Sequence, residues 1–176
     1  MKEFLRRLKL IDYLTTTLPI SKPNFVNRLQ EITDIGRIGM FSDTFDVFSS
    51  SKNEFKGHVD LNGFKLKRRR RFFDTNMNFA IASGTFTEAN GQLTVETEVN
   101  GFKSFFILFY VFLIIFYSIF IFGFWGSSNK ESFIAIPFIL LHGTFMFALP
   151  YFMMRRSVKR LKYELEREFF YLTKTE

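Results

Sequence analysis

The chain has 176 residues, 27 of them phenylalanine, with 24 Lys/Arg against 17 Asp/Glu, a formal net charge of +7, and no cysteine. Only four prolines and ten glycines exclude a collagenous or Pro/Gly-rich chain, and the missing thiols exclude a disulfide scaffold. With 47% apolar residues, the composition suits a modest soluble domain joined to a membrane part.

The chain opens with Phe4, Leu8, Ile11 and Leu14 at helical spacing and with Lys2, Arg6, Arg7 and Lys9 mostly off that stripe, which predicts a short amphipathic helix. This stretch has the basic start of a signal peptide but no uninterrupted apolar region and no small-residue cleavage site, so export of the domain behind it is not expected. A second helix is predicted from Ser21 as N-cap, with Pro23 in its first turn and Phe25, Leu29 and Ile32 along one face, ending near Gly36. From about Gly39 the period changes from near four to two. Asn62-Gly63 and Asn90-Gly91 then mark hairpin turns, because both residue types accept positive φ.

If Asn62-Gly63 is a two-residue turn, Leu61 faces Phe64, Val59 faces Leu66, Asp60 faces Lys65 and Glu54 faces Arg71. Apolar and opposite-charge pairs thereby separate onto two faces. The second hairpin puts Phe86 opposite Val95, Gly84 opposite Thr97 and Ala82 opposite Val99. A further strand is expected near Phe41 to Phe48. The predicted soluble part, residues 1–103, is thus α+β: N-terminal helices on the apolar face of an antiparallel β-meander of four or five strands.

Phe105 to Trp125 is a run of 21 residues without a charge, about 30 Å as a helix and long enough to cross the bilayer hydrocarbon. Phe133 to Met154 is a second uncharged run, of 22 residues; its Pro137 and Pro150 predict a bent helix, tolerated in lipid. The short polar link from Gly126 to Ser132 makes residues 104–154 a two-helix transmembrane hairpin. Arg155, Arg156, Lys159, Arg160, Lys162 and Arg167 come after the second run while the link offers only Lys130, so both termini are expected in the cytoplasm. Trp125 and Tyr151 sit where interfacial aromatics belong. In residues 155–176, Val158, Leu161, Leu165, Phe169 and Leu172 predict an amphipathic helix that docks on the soluble domain or on another copy.

Several residues resemble an uncharacterised family of small bacterial membrane proteins with an N-terminal α+β domain, a two-helix hairpin and a charged tail. The likeness rests on Thr15 to Leu29, Phe55-Lys-Gly-His-Val59, Phe64-Lys-Leu66, Asn76, Gly84 and Gly91-Gln-Leu-Thr-Val95; the family's Arg-Asn after the basic strand is here Asp74-Thr-Asn76. The resemblance implies the same architecture and a multi-pass protein of the bacterial inner membrane, and brings no activity with it.

Two groups of residues are candidates for function. Lys65, Lys67, Arg69 and Arg71 would project from one strand face as a basic row, able to meet phosphates of anionic lipid headgroups or to serve as a solvated face balanced by Glu54, Asp60, Glu96 and Glu98. Nucleic acid is disfavoured, because the aromatics fall on the buried face. His142 is the one ionisable side chain of the two runs besides their tyrosines; folding the hairpin about Asn129 brings it level with Phe116, so Tyr117 or Ser118 is its candidate partner, with Thr144 beside it. The Phe105, Phe109, Phe112, Phe116 and Phe120 stripe is expected to pack the hairpin or its oligomer.

His58, expected opposite Lys67, lacks companions for a metal site. Asp43, Asp46 and Asp74 match neither a calcium loop nor a carboxylate pair, and no phosphate loop, nucleophile elbow or HExxH occurs. The expectation is a non-enzymatic, cofactor-free, membrane-tethered scaffold or sensor with a protein or lipid partner. Its alternatives are an oligomeric effector or channel, and an apolar-ligand domain lined by Phe45, Phe64, Phe79 and Phe86.

Overall fold

The computed structural model describes residues 1–39, 51, 53–69, 78–125 and 130–174. The chain forms two compact units, Met1–Phe102 together with Met154–Glu176, and Lys103–Met153. The C-terminal segment, set apart in the sequence as its own region, therefore belongs to the same unit as the sheet. The expected strand near Phe41 to Phe48 lies outside the described residues.

The first unit contains α1 (Lys2–Arg7), β1 (Ile11–Leu18), α2 (Lys22–Glu31), β2 (Thr33–Ile35), β3 (Phe55–Val59), β4 (Gly63–Arg68), β5 (Ile81–Ala89) and β6 (Gln92–Asn100). The strands form a six-stranded sheet in the order β1-β6-β5-β4-β3-β2, antiparallel except for the parallel pair β2 and β3. The α+β class is as expected. Two strands were not: β1 and β2 flank the predicted meander.

The opening helix stops after six residues because the chain reverses at Lys9, whose φ is 57°. Lys9 N–H donates to the Arg6 carbonyl and Leu10 N–H to the Leu5 carbonyl, both at 2.9 Å, and Leu5 and Leu10 are each buried. This is a Schellman ending with lysine where glycine is the usual residue, at a backbone cost of about 1 kcal/mol. Ile11 and Leu14, expected on the helix, instead lie in β1, and the β-branched run Thr15 to Thr17 carries that strand on along β6. α2 begins after Ser21 as expected, but the Ser21 side chain makes no cap bond. The Glu88 carboxylate accepts the Lys22 N–H at 3.1 Å instead and places a negative charge at the helix start.

The second hairpin has the expected register, Phe86 to Val95, Gly84 to Thr97 and Ala82 to Val99. Asn90 and Gly91 carry φ values of 54° and 74°, the mirror-image turn that suits strand twist. The first hairpin is shifted by two residues. Val59 pairs with Phe64, Gly57 with Leu66 and His58 with Lys65, not Lys67. Asp60 causes the shift: its Oδ1 accepts N–H groups from Asn62 at 2.7 Å and Gly63 at 3.0 Å, and its own N–H donates to the Gly63 carbonyl at 2.9 Å. The turn is thus centred on Leu61-Asn62, with neither residue at positive φ. A slip of two leaves every side chain on its predicted face.

α3 (Phe105–Trp125) and α4 (Lys130–Lys174) complete the chain. Lys130 to Ser132, expected in the link, belong to α4. From Met154 onward α4 is part of the first unit and presents the predicted stripe: Val158, Leu161, Leu165, Phe169 and Leu172 are all buried in the core with Phe25, Val26 and Leu29 of α2 and the inner face of the sheet. Phe169 meets Phe25 and Phe64 edge-on at centroid distances of 5.4 and 5.9 Å, and Phe25 meets Phe86 at 5.6 Å. Each such pair contributes about 1 kcal/mol beyond its buried area. Helix side chains therefore occupy the space over Phe64 and Phe86 that an apolar ligand would need; Phe45 lies outside the described residues.

α3 and the first half of α4 are long and apolar enough to cross a membrane, and the most apolar stretch of each is only 17% and 11% buried by the rest of the protein. A soluble core helix would be covered; these are not.

Candidate functional site

In the unit Lys103–Met153, α3 and α4 meet through a short ladder of polar-tipped aromatics. The Tyr110 ring stacks on Phe147 at 5.7 Å and its hydroxyl donates to the Phe147 carbonyl at 3.3 Å. The Tyr117 hydroxyl and His142 Nδ1 are hydrogen-bonded at 2.7 Å. Gly143 lies against this pair, where an added Cβ would sit in van der Waals contact with the Tyr117 ring at 3.4 Å. Of the two partners expected for His142, the structure selects Tyr117. Ser118 is half-buried, and Thr144 turns its hydroxyl onto the Leu140 carbonyl of its own helix at 2.8 Å. Beside Gly143 an open apolar groove of about 650 Å³ runs between Tyr117, Leu140, Phe147 and Tyr151.

The phenylalanine stripe does not face α4. Phe105, Phe112, Phe116 and Phe120 are 40–60% exposed, whereas Leu113 and Tyr117 are buried. Helical spacing fixes which residues share a face but not which neighbour that face meets. The Phe112, Phe116 and Phe120 rings contact one another along the outside of α3.

The predicted basic row falls on one face along β4, the face turned away from α2 and α4, but it is not an exposed row. Lys65 is exposed, Lys67 and Arg69 are buried, and Arg71 lies outside the described residues. Arg69 is ion-paired with Asp34, and its N–H donates to the Glu54 carbonyl at 2.8 Å. His58 pairs with Asp60 at 3.3 Å. The amides of Asn62 and Gly63 hold the Asp60 carboxyl below the usual range.

A cluster missed in the sequence sits on the opposite face. Arg68 points toward α4, where its Nε lies 3.1 Å from Glu164 Oε2, and Arg160 Nε donates to Glu164 Oε1 at 2.9 Å. Burial pushes the Glu164 carboxyl up, against the pull of the Arg160 guanidinium. The signal was faint: Arg68 alternates with the row to either side, and a single glutamate between Leu161 and Leu165 marks the stripe's edge. The Arg68–Glu164 ion pair ties α4 to β4.

Among the described residues no group of three or more His, Asp or Glu side chains gathers as a metal site. Comparison with protein families, with characterised proteins and with solved structures finds no match to this chain.

Proposed function

We propose that the protein is a membrane-tethered scaffold or sensor, anchored by α3 and α4, whose sheet unit acts at the cytoplasmic face of a bacterial inner membrane by binding a protein or anionic-lipid partner, not by catalysis. The observation that carries this reading is the bare apolar surface of two helices that together hold one hydrogen-bonded His–Tyr pair and no formal charge over Phe105–Phe124 and Ile136–Met154. The basic residues after Met154 set the proposed orientation.

The cysteine-free chain makes the test direct. A cysteine introduced at Ser127 should react with a membrane-impermeant maleimide from outside intact cells, and one at Thr15 should react only after the membrane is opened. The opposite labelling, or a chain released from membranes by alkaline carbonate, would overturn the proposal. Turnover of a common metabolite by the purified protein would overturn its non-catalytic part.

A second reading, an oligomeric effector or channel, is favoured by the exposed Phe112, Phe116 and Phe120 face and by the Tyr117–His142 pair. Ion flux through reconstituted protein that disappears in His142→Leu would support it. Sealed vesicles at high protein density would exclude it.

A further inference from the structure

Within the first unit, the turn from α1 into β1 and the stretch of α4 beginning at Arg155 enclose a half-open cavity of about 450 Å³. Its floor is apolar, from buried Ile11 and Val158. Its walls carry four cations, Arg6, Lys9, Arg155 and Lys159, and one acid, Asp12. Asp12 is already engaged: Lys162 Nζ lies 2.9 Å from Oδ2, and Oδ1 accepts the Tyr13 N–H at 2.8 Å. Among the described residues no acidic side chain pairs with any of the four cations; Arg6 lies over the Tyr13 ring at 5.8 Å.

We infer that this cavity binds the phosphate of an anionic lipid headgroup. Four like charges converging on one concavity repel one another, and an anion there removes the repulsion while gaining charge-assisted hydrogen bonds, the arginines as forks and the lysines as point charges. The volume falls in the range of small-ligand sites. Lys9 adds an independent indication. It occupies the left-handed position at the end of α1, where glycine would be favoured, and from there its side chain lines the cavity. A lipid source is favoured over free phosphate because Arg155 is the first charge after the 22-residue uncharged run of α4, and Lys159 comes one helical turn later. This assignment rests on α4 being a membrane span, and it moves the lipid contact away from the β4 row, where Lys67 and Arg69 are buried.

The test uses the full chain in uncharged detergent micelles, titrated with phosphatidic acid and, separately, with phosphatidylcholine and inorganic phosphate. Native mass spectrometry and the thermal midpoint read binding. Phosphatidic acid should stay bound and raise the midpoint, while phosphatidylcholine should not. Each cation removed should weaken binding roughly fivefold, so Arg155→Gln with Lys159→Gln should lose about 25-fold. Lys9→Gly relieves the backbone at the helix end, so its lipid affinity should fall while the lipid-free midpoint holds or rises. Lys65→Gln, on β4 and three strands away from β1, should bind like the parent. Unchanged affinity in the Lys9 and Arg155/Lys159 variants would overturn the site. Displacement of lipid by inorganic phosphate at equal concentration would overturn the lipid assignment. Failure of the span itself reads differently, as a chain that stays soluble without detergent.

Discussion

At the scale of single residues, Gly57 and Glu164 carry the clearest consequences. Gly57 lies at the middle of β3, where that strand is paired closely with β4. A Cβ at Gly57 would collide with the Lys65 carbonyl of β4 and come within 3.0 Å of the Lys65 carbonyl carbon and 3.1 Å of Leu66 Cα. Those atoms are backbone of a paired strand and cannot rotate aside. Gly57→Ala should therefore destabilise the protein by about 2–3 kcal/mol, read as a shift in the urea midpoint. A loss below about 0.5 kcal/mol would mean the strands part more easily than their pairing indicates. Glu164 gives a pH prediction. Its folded carboxyl holds a proton more tightly than the unfolded one, so between the ordinary glutamate value and the raised one the native state carries more protons and stability from this group falls as pH rises. Glu164→Gln is neutral throughout, and its stability should gain on the parent's as pH rises above the ordinary glutamate value. A difference that is flat, or that runs the other way, would sink the burial account.

At the scale of elements, the C-terminal half of α4 completes the core. Phe169 is fully buried between Phe25 and Phe64, whereas its neighbour Phe170 is 52% exposed. Phe169→Ala should cost about 3–4 kcal/mol and Phe170→Ala less than 1 kcal/mol, compared by thermal unfolding in detergent. This stripe was legible because Val158, Leu161, Leu165, Phe169 and Leu172 keep a helical period across 15 residues of sequence. The second hairpin was legible because Asn90 and Gly91 both take the positive φ that a two-residue turn of this kind requires. The first misled by two residues, since Asp60 competes with Asn62-Gly63 for the turn and its carboxylate bonds win. β1 was hidden because Phe4, Leu8, Ile11 and Leu14 do keep helical spacing, and only the reversal at Lys9 breaks it. The candidate site was legible in part. Tyr117 emerges from hairpin arithmetic, but burial of Lys67 and Arg69 depends on what covers the outer face, and the cavity between Arg6 and Arg155 joins residues 149 positions apart.

At the scale of the whole molecule, the chain interrupts one folded unit with another. The sheet unit is built from both ends of the sequence, and the helices of Lys103–Met153 are inserted between Phe102 and Met154. The two cut points are close. Gly101 N–H donates to the Leu10 carbonyl at 2.9 Å, and a Cβ on Gly101 would stand 3.0 Å from the Met154 carbonyl. A flexible Gly/Ser linker of about six residues spans such a gap easily, and lengthening it twofold costs only about 0.6 kcal/mol. Replacing residues 103–153 by that linker should therefore give a water-soluble protein that unfolds cooperatively, because its core, from Leu14 through Leu172, lies wholly within the retained residues. Removing residues 154–176 as well strips Val158, Leu161, Leu165, Phe169 and Leu172 from the inner face of the sheet, and that shorter chain should aggregate or bind a dye for exposed apolar surface. Circular dichroism melts and size-exclusion profiles of the two chains decide it. Equal folding of both would show that the sheet and α2 suffice alone, and that the C-terminal half of α4 adds nothing to their folding.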